Sequence, residues 1–436
     1  MNLLDIQKRF QKDIRPIFYI SPVLNRALGL EKILPNFYLI TVKKDPLISI
    51  LRKQNVRVFC LEEESKDKPR NSFEILSHPK AEAFIKEKSL GLTPNILTFR
   101  SLPQIQKYCD NKKYNYLQSD SLIVRNLEDK VFFYKLLFRN GIKLPESQVM
   151  TLERCEFKRE KMVLQLRRGF AGNSTFLIEN EKELKQFQKK YAEHKVKLTP
   201  FIKGKTLTVN GCITDSSRQI GSIFMQIESD TRLNKNILGT CGNSHFTDDV
   251  LNLETREKAY KLIDQISKLI YAKGFRGFFG IDLLLSDEGE IFPIELNPRL
   301  TASVGNYTQM QIHNKSVPLL LHHILHFLNY KIPDEEKLIL DDKKYSFLIF
   351  RNTSDEQMTL KESKQTGIYK LENDQLVFQR ESLDFTECDK DEFLILHESK
   401  GAKIEINKEY AFLLTKERLF EKGILNAKGE EIVKII

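Results

Sequence analysis

The stretch Gly277-Phe-Phe-Gly280-Ile-Asp282-Leu-Leu-Leu-Ser-Asp287-Glu-Gly289-Glu-Ile-Phe-Pro-Ile-Glu295-Leu-Asn297-Pro-Arg299 reads as two apolar strands around a polar turn. Paired antiparallel as 281–286 and 291–297 around 287–290, it sets 286 opposite 291, 284 opposite 293 and 282 opposite 295. Directly opposed residues share a face, with Cβ atoms about 4.5–5.5 Å apart. Asp282 and Glu295 then repel each other unless a cation or a proton lies between them. Asn297, two residues on, falls on the same face. Two carboxylates and an amide oxygen form an all-oxygen set of the kind Mg²⁺ takes in nucleotide enzymes. Arg299 follows as a candidate fork for phosphate or carboxylate. A solvated hairpin face accounts for the same four polar residues. Ile281, Leu283, Leu285, Phe292, Ile294 and Leu296 between them imply packing on a core.

Upstream, Gly169-Phe-Ala-Gly172-Asn-Ser174-Thr175 joins the expected strands Met162–Leu166 and Thr175–Ile178. Glycines let backbone N–H groups approach phosphate oxygens, and Ser and Thr add donors. Arg167 and Arg168 precede the loop. An ordinary hairpin turn is the competing reading. A helix is expected from an N-cap at Asn126, with Glu128 and Asp129 at its positive end and Lys130 in its first turn. Gly141 and Pro145 stop it.

The first 120 residues alternate short β-rich runs (Ile17–Ile20, Phe37–Val42, Val56–Leu61, Ile96–Phe99) with amphipathic stretches (Pro46–Lys53, Lys80–Lys88, Leu102–Asn111). That pattern predicts an open α/β sheet without a dinucleotide fingerprint. Further strands are expected at Thr206–Thr214 and Gln219–Gln226, and helices at Glu181–Ala192, Thr255–Lys273 and Val317–Tyr330. Ile332–Lys337 reads as a linker. Short strands at Ser346–Phe350, Gly367–Leu371, Leu376–Gln379, Glu392–His397 and Glu409–Leu414 follow. The fold class is therefore multidomain α/β and α+β. The expected division is an N-terminal α/β domain at 1–120, a central domain at 121–331 and a small β-rich domain at 338–436.

In this order, the pieces resemble the ATP-grasp superfamily of carboxylate–amine ligases. The matching residues are Asp129-Lys130 opening a helix that ends in Gly141-Ile-Lys-Leu-Pro145, the loop Gly169–Thr175, Phe201-Ile-Lys-Gly204 before a strand, Gly280-Ile-Asp282, and Glu295-Leu-Asn297-Pro-Arg299. The N-terminal region is similar to the domain that precedes this fold, and the tail to the C-terminal domain of biotin-carboxylase-like members. The resemblance implies ATP and Mg²⁺, with Mn²⁺ as a substitute. Lys130 would contact the phosphates, with Gly169, Gly172, Ser174 and Thr175 folding over them. The backbone at Thr199, Phe201 and Ile202 would meet the adenine. Asp282, Glu295 and Asn297 would bind the metal, and Arg299 would stabilise the transferred phosphoryl group. Two positions depart from the pattern. Gln165 stands where many members carry Lys, so Arg167 or Arg168 would supply the charge, and Thr199 stands where many carry an acid.

The implied activity is ADP-forming activation of a carboxylate as an acyl phosphate, then capture by an amine. An amino acid or a peptide is the default substrate. The alternatives are a catalytically silent nucleotide-binding regulator and a bicarbonate-using carboxylase. Thr240-Cys-Gly-Asn-Ser-His245 reads either as a closing segment or as a surface loop. His322, His323 and His326 read as a metal site or as structural residues. Net charge is +10, but the lysines are spread along the chain in no compact basic block, so nucleic acid is not an expected partner. The six cysteines form no C-x-x-C, which fits reduced thiols in a cytoplasmic protein. Met1–Arg15 lacks the apolar core of a signal peptide. No apolar run approaches the roughly 20 residues that span a bilayer, so no membrane partner is expected. Oligomeric state stays open, a homodimer being one option.

Overall fold

The computed structural model describes residues 3–67, 69–158, 161–169, 174–330, 337–338 (backbone only) and 344–436. Five parallel strands form the N-terminal sheet: β1 (Ile17–Ile20), β2 (Phe37–Thr41), β3 (Arg57–Cys60), β4 (Asn95–Thr98) and β5 (Asn115–Tyr116), in the order β3-β2-β1-β4-β5. β1 and β2 are buried throughout, as a sheet covered on both faces requires. The intervening helices, Pro46–Lys53, Pro79–Ser89 and Pro103–Lys112, each begin with Pro, whose fixed φ and missing N–H suit the first turn.

The helix expected from Asn126 is divided. Ser121–Leu127 is one helix, capped by Asp120, and Asn126 lies inside it. A second helix, Lys130–Arg139, starts at Asp129, whose Oδ1 accepts the N–H of Val131 and of Phe132, each at 3.0 Å. Asp129 is therefore the cap next to Lys130. Gly141 takes φ +70° just beyond the helix end, as expected of a terminator.

The next sheet contains β6 (Gln148–Thr151), β7 (Met162–Leu166), β8 (Thr175–Ile178) and β9 (Lys195–Pro200), in the order β6-β9-β7-β8. Alternate residues Met162, Leu164, Val196 and Leu198 share a small core with Leu184 of the helix Glu181–Tyr191. The opposite face therefore carries Val163, Gln165, Lys197 and Thr199.

β10 (Gly204–Ile213), β11 (Arg218–Ile227), β12 (Gly242–Ser244), β13 (Gly277–Ser286) and β14 (Ile291–Asn297) begin an eleven-stranded sheet in the order β14-β13-β10-β11-β12. It continues directly into Ser346–Arg351, Glu409–Thr415, Glu392–His397, Gly367–Glu372 and Gln375–Arg380. The β-rich tail is thus hydrogen-bonded to the central sheet through β12. This corrects the reading of Thr240–His245 as a closing segment or surface loop, because β12 pairs on both sides, with β11 and with Ser346–Leu348. Gly242 permits the seam, since a Cβ there would lie 1.9 Å from the Phe347 carbonyl oxygen. His245 follows inside an aromatic stack with Phe224 and Tyr345, and burial pushes its pKa down to about 3.

The expected linker Ile332–Lys337 lies outside the described residues, except for the backbone of Lys337, which pairs with β11. Among the described residues no helix is long and apolar enough to cross a membrane.

Candidate active site

The β13–β14 hairpin closes through Ser286 N–H to Glu290 O (2.8 Å), with Gly289 at φ +82°. Three residues therefore form the loop, with Gly in the left-handed position such a loop needs. The pairs nearest the turn are Leu285 with Ile291, Leu284 with Phe292 and Leu283 with Pro293. They differ by one residue from the expected 286–291 and 284–293 pairing. A bulge then restores the register, and Asp282 lies opposite Glu295. Pro293 has no N–H to contribute and β14 is an edge strand, where both Pro and a bulge are tolerated.

Burial, followed by the facing Glu295 carboxylate, pushes the Asp282 pKa up to about 6. Asp282 Oδ1 accepts from Thr208 Oγ1 (2.7 Å) and Gln226 Nε2 (3.0 Å), and Oδ2 from Asn297 Nδ2 (3.0 Å). The Asn297 carbonyl oxygen accepts from Arg299 (2.8 Å). Arg299 also pairs with buried Glu128 (3.1 Å), which pairs in turn with Arg100. Nearby, burial pushes Glu228 up to about 7, against a hydrogen bond from Thr206.

Lys130 reaches across from its capped helix. Its Nζ is 3.2 Å from Glu295 Oε1 and 3.5 Å from both Gly169 O and Ser174 Oγ. A Cβ on Gly169 would lie 2.3 Å from Ser174 Cβ, so glycine permits the close approach of these two residues. Gly172 lies outside the described residues. Gln165 is buried between Thr175 and Lys197. The structure thus gathers Lys130, Gln165, Ser174, Asp282, Glu295, Asn297 and Arg299.

Other expected residues sit differently. Arg167 and Arg168 do not replace a charge at Gln165. Arg167 binds Asp129 through Nε at 2.6 Å, and Arg168 lies 3.7 Å from the same carboxylate. A buried helix-capping carboxylate is the stronger local attractor for both. The Thr199 hydroxyl meets Ser147 (3.0 Å). The Phe201 N–H is committed to Lys161 O (2.9 Å), which removes that one group as a donor to the base.

Three cations near the site, Lys197, Arg26 and Arg100, were not singled out from the sequence. Lys197 is buried on the cleft face of β9, where burial and then Lys130 push its pKa down to about 8. Arg26 and Arg299 both lie over the Phe99 ring, at 4.7 and 5.2 Å from its centroid. Arg100 completes the group through Glu128. In the sequence, Lys195-Val-Lys197-Leu-Thr199 alternates like any surface strand. Only the helix packed across it turns that surface into a cleft wall.

Residues 127–303 match the sequence profile of the ATP-grasp domain family. That central stretch is similar to the ATP-grasp domain family. No protein of curated function matches by sequence. Among solved structures, biotin carboxylase from Campylobacter jejuni is 12% identical, covering 92% of this chain and 87% of that one, with a TM-score of 0.64. N5-carboxyaminoimidazole ribonucleotide synthetase from Thermotoga maritima is 16% identical (96% and 97% covered, TM-score 0.57). L-amino acid ligase from Bacillus licheniformis is 15% identical (92% and 93% covered, TM-score 0.59). At these identities the likeness is one of fold.

Within the matched stretch the donor chemistry fits Mg²⁺. Two carboxylates oppose each other beside an amide, and side-chain cations already approach the set, Lys130 on Glu295 and Arg299 on Asn297. Among the described residues no cluster of three or more His, Cys, Asp or Glu side chains offers a metal site. Of the helix histidines, His323 is structural: it accepts from the Phe278 N–H (2.9 Å) and its other ring nitrogen meets Leu117 O (2.9 Å).

Proposed function

We propose that this protein is an ADP-forming ligase that activates a carboxylate as an acyl phosphate and joins it to an amine. The observation that carries this reading is the buried face on which Asp282 and Glu295 oppose each other, with the Lys130 ammonium on Glu295 and Ser174 beside it. Lys130 and the loop from Gly169 to Thr175 hold the ATP phosphates, and the backbone at Ile202 meets the base. Asp282, Glu295 and Asn297 hold Mg²⁺, which when bound neutralises phosphate charge. A substrate carboxylate oxygen bonds to the γ-phosphorus as the bond to the β–γ bridging oxygen breaks, and ADP leaves. The amine nitrogen then bonds to the acyl carbon, phosphate leaves, and the nitrogen gives up a proton. Arg299, fixed by Glu128 and Asn297, faces the transferred group, while Arg26 on the same Phe99 ring supports placing the substrate anion there. Preorganised charge and position account for such a transfer without a protein nucleophile. All six cysteines are buried, with burial pushing Cys155 and Cys241 up to about 11.

The test is ADP release from MgATP with pooled amino acids and peptides added or omitted, and with Glu295→Gln as the blank. Pool-dependent release that falls about 100-fold or more in the variant supports the ligase. An unchanged rate in Glu295→Gln removes the metal assignment. Two of the solved neighbours are named for carboxylation chemistry, so bicarbonate forms a separate arm. Release that needs bicarbonate and no amino acid would select the carboxylase. Nucleotide binding with no release in any arm would select the silent regulator.

A further inference from the structure

We propose that Lys197 is a phosphate-binding cation of this site, holding the nucleotide from β9 in the space that faces Gln165. The inference rests on the ATP reading above and adds a residue to it.

Position comes first. Val196 and Leu198 enter the small core behind the four-stranded sheet, so Lys197 projects from the other face, as does its cross-strand partner Gln165. Gln165 also pairs with Thr175 at the end of the glycine loop. Side chains of directly opposed residues start about 4.5–5.5 Å apart. A lysine at 197 therefore sweeps much of the volume that a lysine at 165 would reach.

Charge comes second. Lys197 is 7% exposed, and among the described residues no hydrogen bond or ion pair engages its ammonium. A buried ammonium left without an anion is costly to the fold. The charges acting on it are Lys130 and Glu295, and Glu295 is already paired with Lys130 at 3.2 Å. Two ammonium groups thus share one carboxylate, and that carboxylate is itself a proposed metal ligand. The arrangement lacks negative charge between Gln165 and Lys130. The polyphosphate of a nucleoside di- or triphosphate supplies it. Arg167 and Arg168 are withdrawn to Asp129 and do not compete for this role.

The experiment is calorimetric titration of ADP and, separately, adenosine into wild type, Lys197→Gln, Lys197→Met and the double variant Gln165→Lys/Lys197→Gln. Loss of a charge-assisted contact to phosphate is expected to weaken ADP binding about 10–100-fold in both single variants. Adenosine binding should change less than about threefold, because adenosine carries no phosphate. The double variant, which returns the cation from the opposite strand, should recover most of the ADP affinity. Thermal unfolding without nucleotide should show both single variants at least as stable as wild type, since they remove an unpaired buried charge. Wild-type ADP affinity in both single variants would overturn the role of Lys197 and leave the ATP reading intact. Single variants that fail to fold would also overturn it, because they would show a structural lysine. A wild type that binds no ADP would overturn the ATP reading itself.

Discussion

Asp282→Asn gives a quantitative check on the paired carboxylates. The Asp282 pKa moves from 3.8 to about 6 through burial and then the charge of Glu295. At about 1.4 kcal/mol per pH unit, the ionised form costs the fold about 3 kcal/mol relative to the protonated form. The sign follows from the raised folded value. The native state binds the proton more tightly than the unfolded chain does. Its stabilising contribution is therefore complete below pH 3.8 and is lost as pH rises through about 6. Asparagine at 282 does not titrate, so the stability gap between wild type and variant should shift by about 2.4 kcal/mol in favour of the variant between pH 4 and pH 8. Any hydrogen bond that asparagine makes poorly with Asn297 adds a constant to the gap and leaves this slope alone. What titrates is the pair, because Glu295 faces Asp282. The assay is urea unfolding of both proteins in metal-free buffer across that range. It can be followed by far-ultraviolet circular dichroism and tyrosine fluorescence, since the chain has no Trp and 14 Tyr. A gap that does not vary with pH would refute the reasoning, because Asp282 would then be an ordinary solvated carboxylate. Saturating Mg²⁺ with ADP should flatten the slope, since a bound cation favours the ionised pair.

Three further outcomes are expected. Asp129→Ala should cost about 2 kcal/mol, roughly half from the lost helix cap and half from the bond to half-exposed Arg167. Asp129→Asn should keep about half of that stability, and denaturant unfolding of the two variants separates the terms. Gly242→Ala places a Cβ 1.9 Å from the Phe347 carbonyl oxygen, so a loss of about 2–3 kcal/mol is expected. Amide exchange should quicken at Gly242–Ser244 and along Ser346–Leu348, and unchanged protection there would show the seam to be dispensable. Arg26→Ala should raise KM for the carboxylate substrate about 10–100-fold while KM for ATP stays put. An equal rise in both would place Arg26 at the nucleotide instead.

How much of this was legible in the sequence follows from how local each contact is. Asp282, Glu295, Asn297 and Arg299 sit on a single hairpin, so cross-strand pairing brings them together without knowledge of the rest of the fold. The bulge at Ile294 offsets the one-residue difference near the turn and restores that pairing. The parallel strands were legible because a sheet covered on both faces leaves unbroken apolar runs. The helix Val304–His313 was not, because Gln309 and Gln311 are buried on it. Gln309 donates to Leu383 O and Gln311 accepts from Leu319 N–H, so polar residues fill positions where a 3.6-residue apolar stripe would be sought. Lys197 and Arg26 were hidden for a different reason. Lys197 alternates with core residues on its strand, and Arg26 sits beside Asn25 in the short helical turn Leu24–Ala27, so each looks like a surface residue, yet each packs against another part of the chain. The overall charge of +10 gives no sign of them, because it counts cations without saying which have found an anion. In the folded chain most buried cations have. Lys130 has Glu295, Arg299 and Arg100 share Glu128, and Arg351 has Glu409. Lys197 and Arg26 have only weaker company: Lys197 lies near an occupied carboxylate, and Arg26 lies over a phenyl ring. The proposed reaction calls for two different anions, the nucleotide phosphates and the carboxylate to be activated. If those anions are the missing partners, Lys197 and Arg26 should respond to different ligands. ADP binding should depend on Lys197 and not on Arg26, and carboxylate binding on Arg26 and not on Lys197.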